Sequence, residues 1–147
     1  MLFEEPLVHA LLLGAAPISE VRGAVIYAFG INQPWLILPA ALANILVGVA
    51  LMAFWDLFGI EAWGRKILGV GLKKKLDEGA AKYEKYGFLG LALFIGIPLP
   101  LTGVYTGVLV GKILGLRKRV IFAACVLGVA LATLVSVAVV GGFAALF

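Results

Sequence analysis

The sequence predicts an all-α integral membrane protein of two inverted repeats, each a re-entrant helical hairpin followed by a full transmembrane helix. Three observations carry that expectation: an apolar composition, two apolar stretches broken near their middle, and a lopsided distribution of positive charge. Of 147 residues, 63% are hydrophobic and 14% charged, against roughly 45–50% and 25% in soluble domains. That excludes a water-soluble fold. Eleven of the charged side chains fall within residues 61–85, so the rest of the chain is nearly uncharged and has room for about four passes of roughly 20 residues. We expect one membrane domain over 1–147, with repeat one at 1–58, a cytoplasmic basic loop at 59–86 and repeat two at 87–147. The lone Cys125 lies in an apolar run, so neither a disulfide framework nor a Cys/His metal site is expected, and no cofactor. Glu4 and Glu5 stand where a signal peptide would carry Lys or Arg, so the first stretch reads as retained.

The first apolar stretch, 7–31, is broken at Pro17-Ile18-Ser19-Glu20-Val21-Arg22. Pro17 lacks an N–H and forces Ala16 away from helical geometry, and Ser19 is placed to cap the second half. The second stretch, 34–58, is unbroken and long enough to span a hydrocarbon core of roughly 30 Å. The third, 87–115, is broken at Pro98-Leu99-Pro100-Leu101-Thr102, with Thr102 placed to cap the second half-helix, 103–115. The fourth, 120–147, is again unbroken. Placing Pro17 over Pro98 also puts Gly30 over Gly111, which predicts two like units. Between them, 59–86 is either a solvated topogenic loop or an amphipathic helix on the anionic inner leaflet, with Trp63, Ile67 and Val70 on one face. Trp35, Trp55, Trp63, Tyr83 and Tyr86 flank the stretches as an aromatic belt.

Charge fixes the expected topology. If all four stretches spanned, the basic loop and Arg117-Lys118-Arg119 would lie on opposite sides, against the positive-inside rule. A re-entrant third stretch makes eleven of the twelve basic residues cytoplasmic, all but Arg22. By the repeat, the first hairpin then enters from the other face, with both termini outside and the two tips meeting near the midplane. Broken backbone at membrane depth is tolerated only when buried in protein or lining a wet cavity, so two tips imply a site.

The stretches Pro17-Ile18-Ser19-Glu20-Val21-Arg22-Gly23-Ala24 and Gly96-Ile97-Pro98-Leu99-Pro100-Leu101-Thr102-Gly103-Val104-Tyr105-Thr106-Gly107 resemble, in this order, the two signatures of the prokaryotic small multidrug export protein family. That family is regarded as a distant relative of the DedA and VTT-domain membrane proteins. Ile26, Leu101 and Tyr105 depart from its pattern, where proline, glycine and tryptophan are usual. The family name implies drug export from the cytoplasmic membrane, whereas the DedA likeness implies re-entrant hairpins and the handling of phosphate-bearing lipids.

Glu20 and Arg22 are the ionisable residues deep inside an apolar stretch, where each costs about 2.5–3.5 kcal/mol on insertion scales. Arg22 can bind an anion or donate to carbonyls freed by a break. Glu20 can exchange a proton or cap free N–H groups. With two half-helix N-termini near Ser19 and Thr102, the centre should attract a phosphate or carboxylate. Asn44 and Tyr105 complete the candidate substrate- or proton-binding set of Ser19, Glu20, Arg22, Asn44, Thr102 and Tyr105, and Pro17, Pro98 and Pro100 break the hairpins. His9 reads as an interfacial side chain. Small residues at every fourth position (Gly103, Gly107, Gly111, Gly115; Ala124, Gly128, Ala132, Ser136; Ala40, Asn44, Gly48) predict close helix packing, with 124–136 expected in a homodimer interface.

The expected function is a non-enzymatic transporter or scramblase-like carrier of an anionic, lipid-linked substrate, with a proton or other ion as a possible partner. Its rivals are a small-molecule multidrug exporter and a non-transporting membrane scaffold. No Ser/His, Cys/His or paired-carboxylate arrangement suggests an enzyme, and no module pattern suggests a nucleic-acid partner.

Overall fold

The computed structural model describes residues 4–57, 86–97 and 102–146. Among them every regular element is helical: α1 (Glu4–Ala15), α2 (Glu20–Gly30), a 3-10 turn (Pro34–Leu36), α3 (Ile37–Leu57), α4 (Tyr86–Gly96), α5 (Val104–Ile113) and α6 (Lys118–Leu146). Two apolar segments, Pro34–Trp55 and Lys118–Phe143, are long enough to cross a membrane. The others are half that length, about 15–18 Å at the helical rise. The breaks fall where the prolines and polar residues predict them, between Ala15 and Glu20 and between Gly96 and Val104. Pro98, Pro100 and the basic loop up to residue 85 lie outside the described residues.

Each pair of short helices folds back on itself. In the first, Ala10 is buried with Ala24 and Ala28, and the rings of His9 and Tyr27 lie 6.0 Å apart. The exposed His9 donates through Nδ1 to the Glu5 carbonyl at 2.7 Å. In the second, Gly107 packs on Ile95, Gly111 on Leu91 and Ile121, and Gly87 on Leu116. Absence of a side chain at Gly107 and Gly111 is what lets α4 and α5 approach, which is how helices gain contact in lipid.

The long helices run beside both pairs. Along α3, Ala40 lies against Gly14 of α1, whereas Gly48 faces Val104 at the start of α5. Along α6, Gly128 meets Ile95 and Ala92, and Gly141 meets the Phe29 ring near the end of α2. The main core joins Val21, Val25, Ile95, Val104, Val108, Ile121 and Val129. Outward, Leu38, Leu42, Leu46, Leu134, Val139 and Phe143 are exposed, a run of apolar surface suited to lipid and far too continuous for water.

Three expectations are corrected. Gly103 and Gly115 are not part of the packing stripe: Gly103 precedes α5 as its N-cap, and Gly115 turns the chain after α5 with φ +70°, a conformation glycine adopts without strain. Gly30 ends α2 with open space around it, while Gly111 is packed inside α5, so the offset that pairs them does not carry over to their surroundings. Ala124, Gly128, Ala132 and Ser136 are buried within the chain, Gly128 against Ile95 and Ala92 of α4. That stripe is therefore not a free face for a second copy.

Candidate functional site

Breaking a helix leaves its last carbonyls without the N–H groups four residues on, and in an apolar surrounding each must find another donor. At the first break the carbonyls of Leu13, Gly14 and Ala15 do. Leu13 O accepts from Ser19 Oγ at 2.7 Å and from the Ala16 N–H at 3.4 Å. Gly14 O accepts from Asn44 Nδ2 at 2.9 Å and Ala15 O from the Tyr105 hydroxyl, whereas Ala16 O keeps the ordinary donor four residues on, the Glu20 N–H at 3.0 Å. Ser19 has helical dihedrals and makes no capping bond. Its hydroxyl turns back to α1 instead, because a freed carbonyl is the nearer partner. The expected cap is thus corrected to a closure of the helix before it.

The second break is closed differently. Arg22 reaches across from α2: Nη1 donates to Thr102 O at 2.9 Å, and Nη2 donates to Ile97 O at 2.8 Å, Ile95 O at 3.1 Å and Thr102 Oγ1 at 3.4 Å. The planar guanidinium, with several donors in a fixed fork, suits such a ring of oxygens. Thr102 Oγ1 itself donates to Ile97 O at 2.7 Å. It does not cap α5, whose N-cap is Gly103 with no side-chain bond. The cap comes from the other pair of helices: Glu20 Oε1 accepts from the Val104 N–H at 3.1 Å, an anion set against the positive end of the α5 dipole.

This geometry explains two backbone features. Glu20 is 6% exposed and has φ +48°, a left-handed conformation costing a non-glycine residue about 1 kcal/mol or more. It aims the carboxylate at α5 rather than along α2. Opposite it, Gly103 must lack a side chain, since a Cβ there would overlap the Glu20 carboxylate.

All six side chains singled out in the sequence, Ser19, Glu20, Arg22, Asn44, Thr102 and Tyr105, therefore converge on the two breaks. Their arrangement differs from the expected anion trap. Arg22 reaches the carbonyls of the second break and Glu20 reaches the start of α5, so the α5 N-terminus already holds a carboxylate. Sequence reasoning missed Gly103 as the seat of Glu20 and the carbonyls of Ile95 and Ile97 as the seat of Arg22. The only sequence signal for the latter is a residue with five donors placed 73–80 positions from oxygens that a proline break sets free. The arrangement couples the two breaks: neither can move without surrendering bonds to the other.

A family model described as "Putative small multi-drug export protein" matches residues 20–135, a span that starts at the first residue of α2 and includes Glu20, Arg22 and the whole second break. No curated protein and no solved structure matches the chain.

Proposed function

We propose, from the premise that this chain belongs to the small multi-drug export protein family, that it is a non-enzymatic membrane carrier exporting small organic molecules. In this reading the α1–α2 and α4–α5 pairs are re-entrant hairpins entering from opposite faces, related as an inverted repeat, with the basic loops cytoplasmic and both termini outside. The packing of α1–α2 on the N-terminal half of α3 and of α5 on its C-terminal half supports the opposed entry.

The observation that carries the reading is the reciprocal bonding of the breaks. Glu20 and Arg22 reach from the first hairpin to the second, and Tyr105 reaches back. Such a joint closes the centre in the resting state and must open for cargo to pass. Glu20 is the hinge of that change, because a proton on its carboxyl weakens its hold on the Val104 N–H and so couples opening to proton uptake. The anionic, lipid-linked substrate loses its motive, since the donors that would bind a phosphate are engaged by backbone oxygens and by Glu20.

Flux in proteoliposomes separates the readings. Ethidium should be carried against a pH gradient by the wild-type protein, and Glu20→Gln should abolish the pH dependence while the protein still folds. Transport of a fluorescent polyprenyl phosphate in place of ethidium would restore the lipid carrier. Normal flux in a well-folded Glu20→Gln variant would falsify the coupling, and no flux of either probe would leave a scaffold. Single cysteines at Ile31 and Leu99 in a Cys125→Ala background should be labelled from outside and from the cytoplasmic side, respectively.

A further inference from the structure

Asn44 makes one bond where its amide can make several. It is 1% exposed and donates through Nδ2 to Gly14 O. Its Oδ1 is buried and, among the described residues, accepts nothing. An orphaned buried acceptor is destabilising, the more so where no water is at hand. If closing the α1 carbonyl were the whole task, a hydroxyl would do it without a second polar atom to bury, as Ser19 does for Leu13.

The position of that oxygen gives it a use. On α3, residues 40, 44 and 48 share a face. Ala40 touches Gly14, and Gly48 lies with Val104 Cγ1 2.7 Å from where its Cβ would be. Asn44 therefore lies on that face between the end of α1, which it bonds at Gly14 O, and Gly48 one turn on, which faces Val104, the residue whose N–H holds Glu20. This side of the centre is rich in acceptors. It holds the C-terminal carbonyls of α1, at the negative end of its dipole, and the Glu20 carboxylate, while Arg22 is directed to the other break. A group completing Asn44 there must donate a hydrogen bond, and positive charge on it is favoured.

We propose that Asn44 is a cargo-binding residue whose Oδ1 accepts a hydrogen bond from the positively charged nitrogen of an exported organic cation, an ammonium or amidinium, as the hairpins part. This deepens the exporter reading and rests on it.

The test compares two cationic probes on the purified full chain in mild detergent: 4′,6-diamidino-2-phenylindole, whose amidinium groups donate N–H bonds, and tetraphenylphosphonium, which has no N–H. Asn44→Leu should weaken binding of the amidinium probe at least about tenfold, the scale of one hydrogen bond to a charged group, and leave tetraphenylphosphonium within about twofold. Asn44→Ala guards against a leucine variant that misfolds by overpacking: it withdraws the acceptor without added bulk, so the same selective loss is expected. Asn44→Asp, which keeps the acceptor, should retain the amidinium probe. Equal weakening of both probes alongside a lower melting temperature makes Asn44 purely structural and overturns the proposal, as does unchanged amidinium affinity in a folded Asn44→Ala. A wild-type protein that binds neither cation overturns the exporter reading with it.

Discussion

At the first break the carbonyls of Leu13, Gly14, Ala15 and Ala16 are met by donors from different places: a serine just ahead, an amide on α3, a phenol on α5 and the backbone N–H of Glu20. At the second, the oxygens of Ile95, Ile97 and Thr102 share one guanidinium. Both solutions satisfy the same demand of apolar surroundings, but they distribute risk differently. Dispersed neutral donors can be lost one at a time, each costing a local bond. A single cation concentrates the closure in one side chain, and removing it opens the whole break. The second hairpin is therefore held by a residue of the first, whereas the first is held largely by its own serine and its neighbours.

The contrast is broken most directly at Arg22. Arg22→Ala takes the guanidinium from the oxygens of Ile95, Ile97 and Thr102, of which Ile97 O keeps the Thr102 hydroxyl, and should cost on the order of 2–6 kcal/mol at about 1–3 kcal/mol for each of the other two. Arg22→Lys keeps the charge but not the fork, so it should recover at most about half of that. Thermal melting in one detergent reads both, and a loss below about 1 kcal/mol for Arg22→Ala would mean that the second break closes itself. The next largest effect lies at the seam. Gly103→Ala drives a Cβ into the Glu20 carboxylate and should cost about 2–3 kcal/mol, in the range of overpacking. In a Glu20→Ala background the same change should cost no more than half as much, a coupling measured by the double-mutant cycle; additive losses would put Glu20 elsewhere. The smallest effects belong to the first break. Tyr105→Phe and Ser19→Ala should each cost about 1 kcal/mol, and, serving different carbonyls, they should add. A loss from either as large as that of Arg22→Ala would erase the asymmetry.

Much of this was legible in the sequence, for a physical reason in each case. Pro17 and the Pro98/Pro100 pair stop helices by local sterics, so the half-length elements followed from residue type alone. Asn44 in an otherwise apolar helix needed a partner wherever it stood, and the small residues Gly107, Gly111 and Gly128 had to sit at close contacts. What stayed hidden was which partner each polar group takes. Ser19 and Thr102 carry a cap's chemistry, yet their hydroxyls turn back to the freed carbonyls of Leu13 and Ile97. Glu20 caps a helix that begins 84 residues later, a pairing set by tertiary approach and by no local pattern. The stripe 124–136 has the spacing of an interface, and spacing does not say whether the partner helix belongs to the same chain or to another.

The separation between Glu20 and Val104 also bears on how the chain is made. Synthesis at about 5–20 residues per second puts roughly 4–17 s between the emergence of these two residues. Throughout that interval the N-terminal half offers the insertion machinery a carboxylate and a guanidinium whose final partners do not yet exist. Neither can be committed to lipid at the cost that an unpaired charge carries there. The first hairpin must then wait in a sheltered or shallow position until α4 and the start of α5 arrive, and the two hairpins take up their depth together. Truncation before residue 104 should thus yield a product held by chaperones or proteases, with the second half acting as the licence for the first.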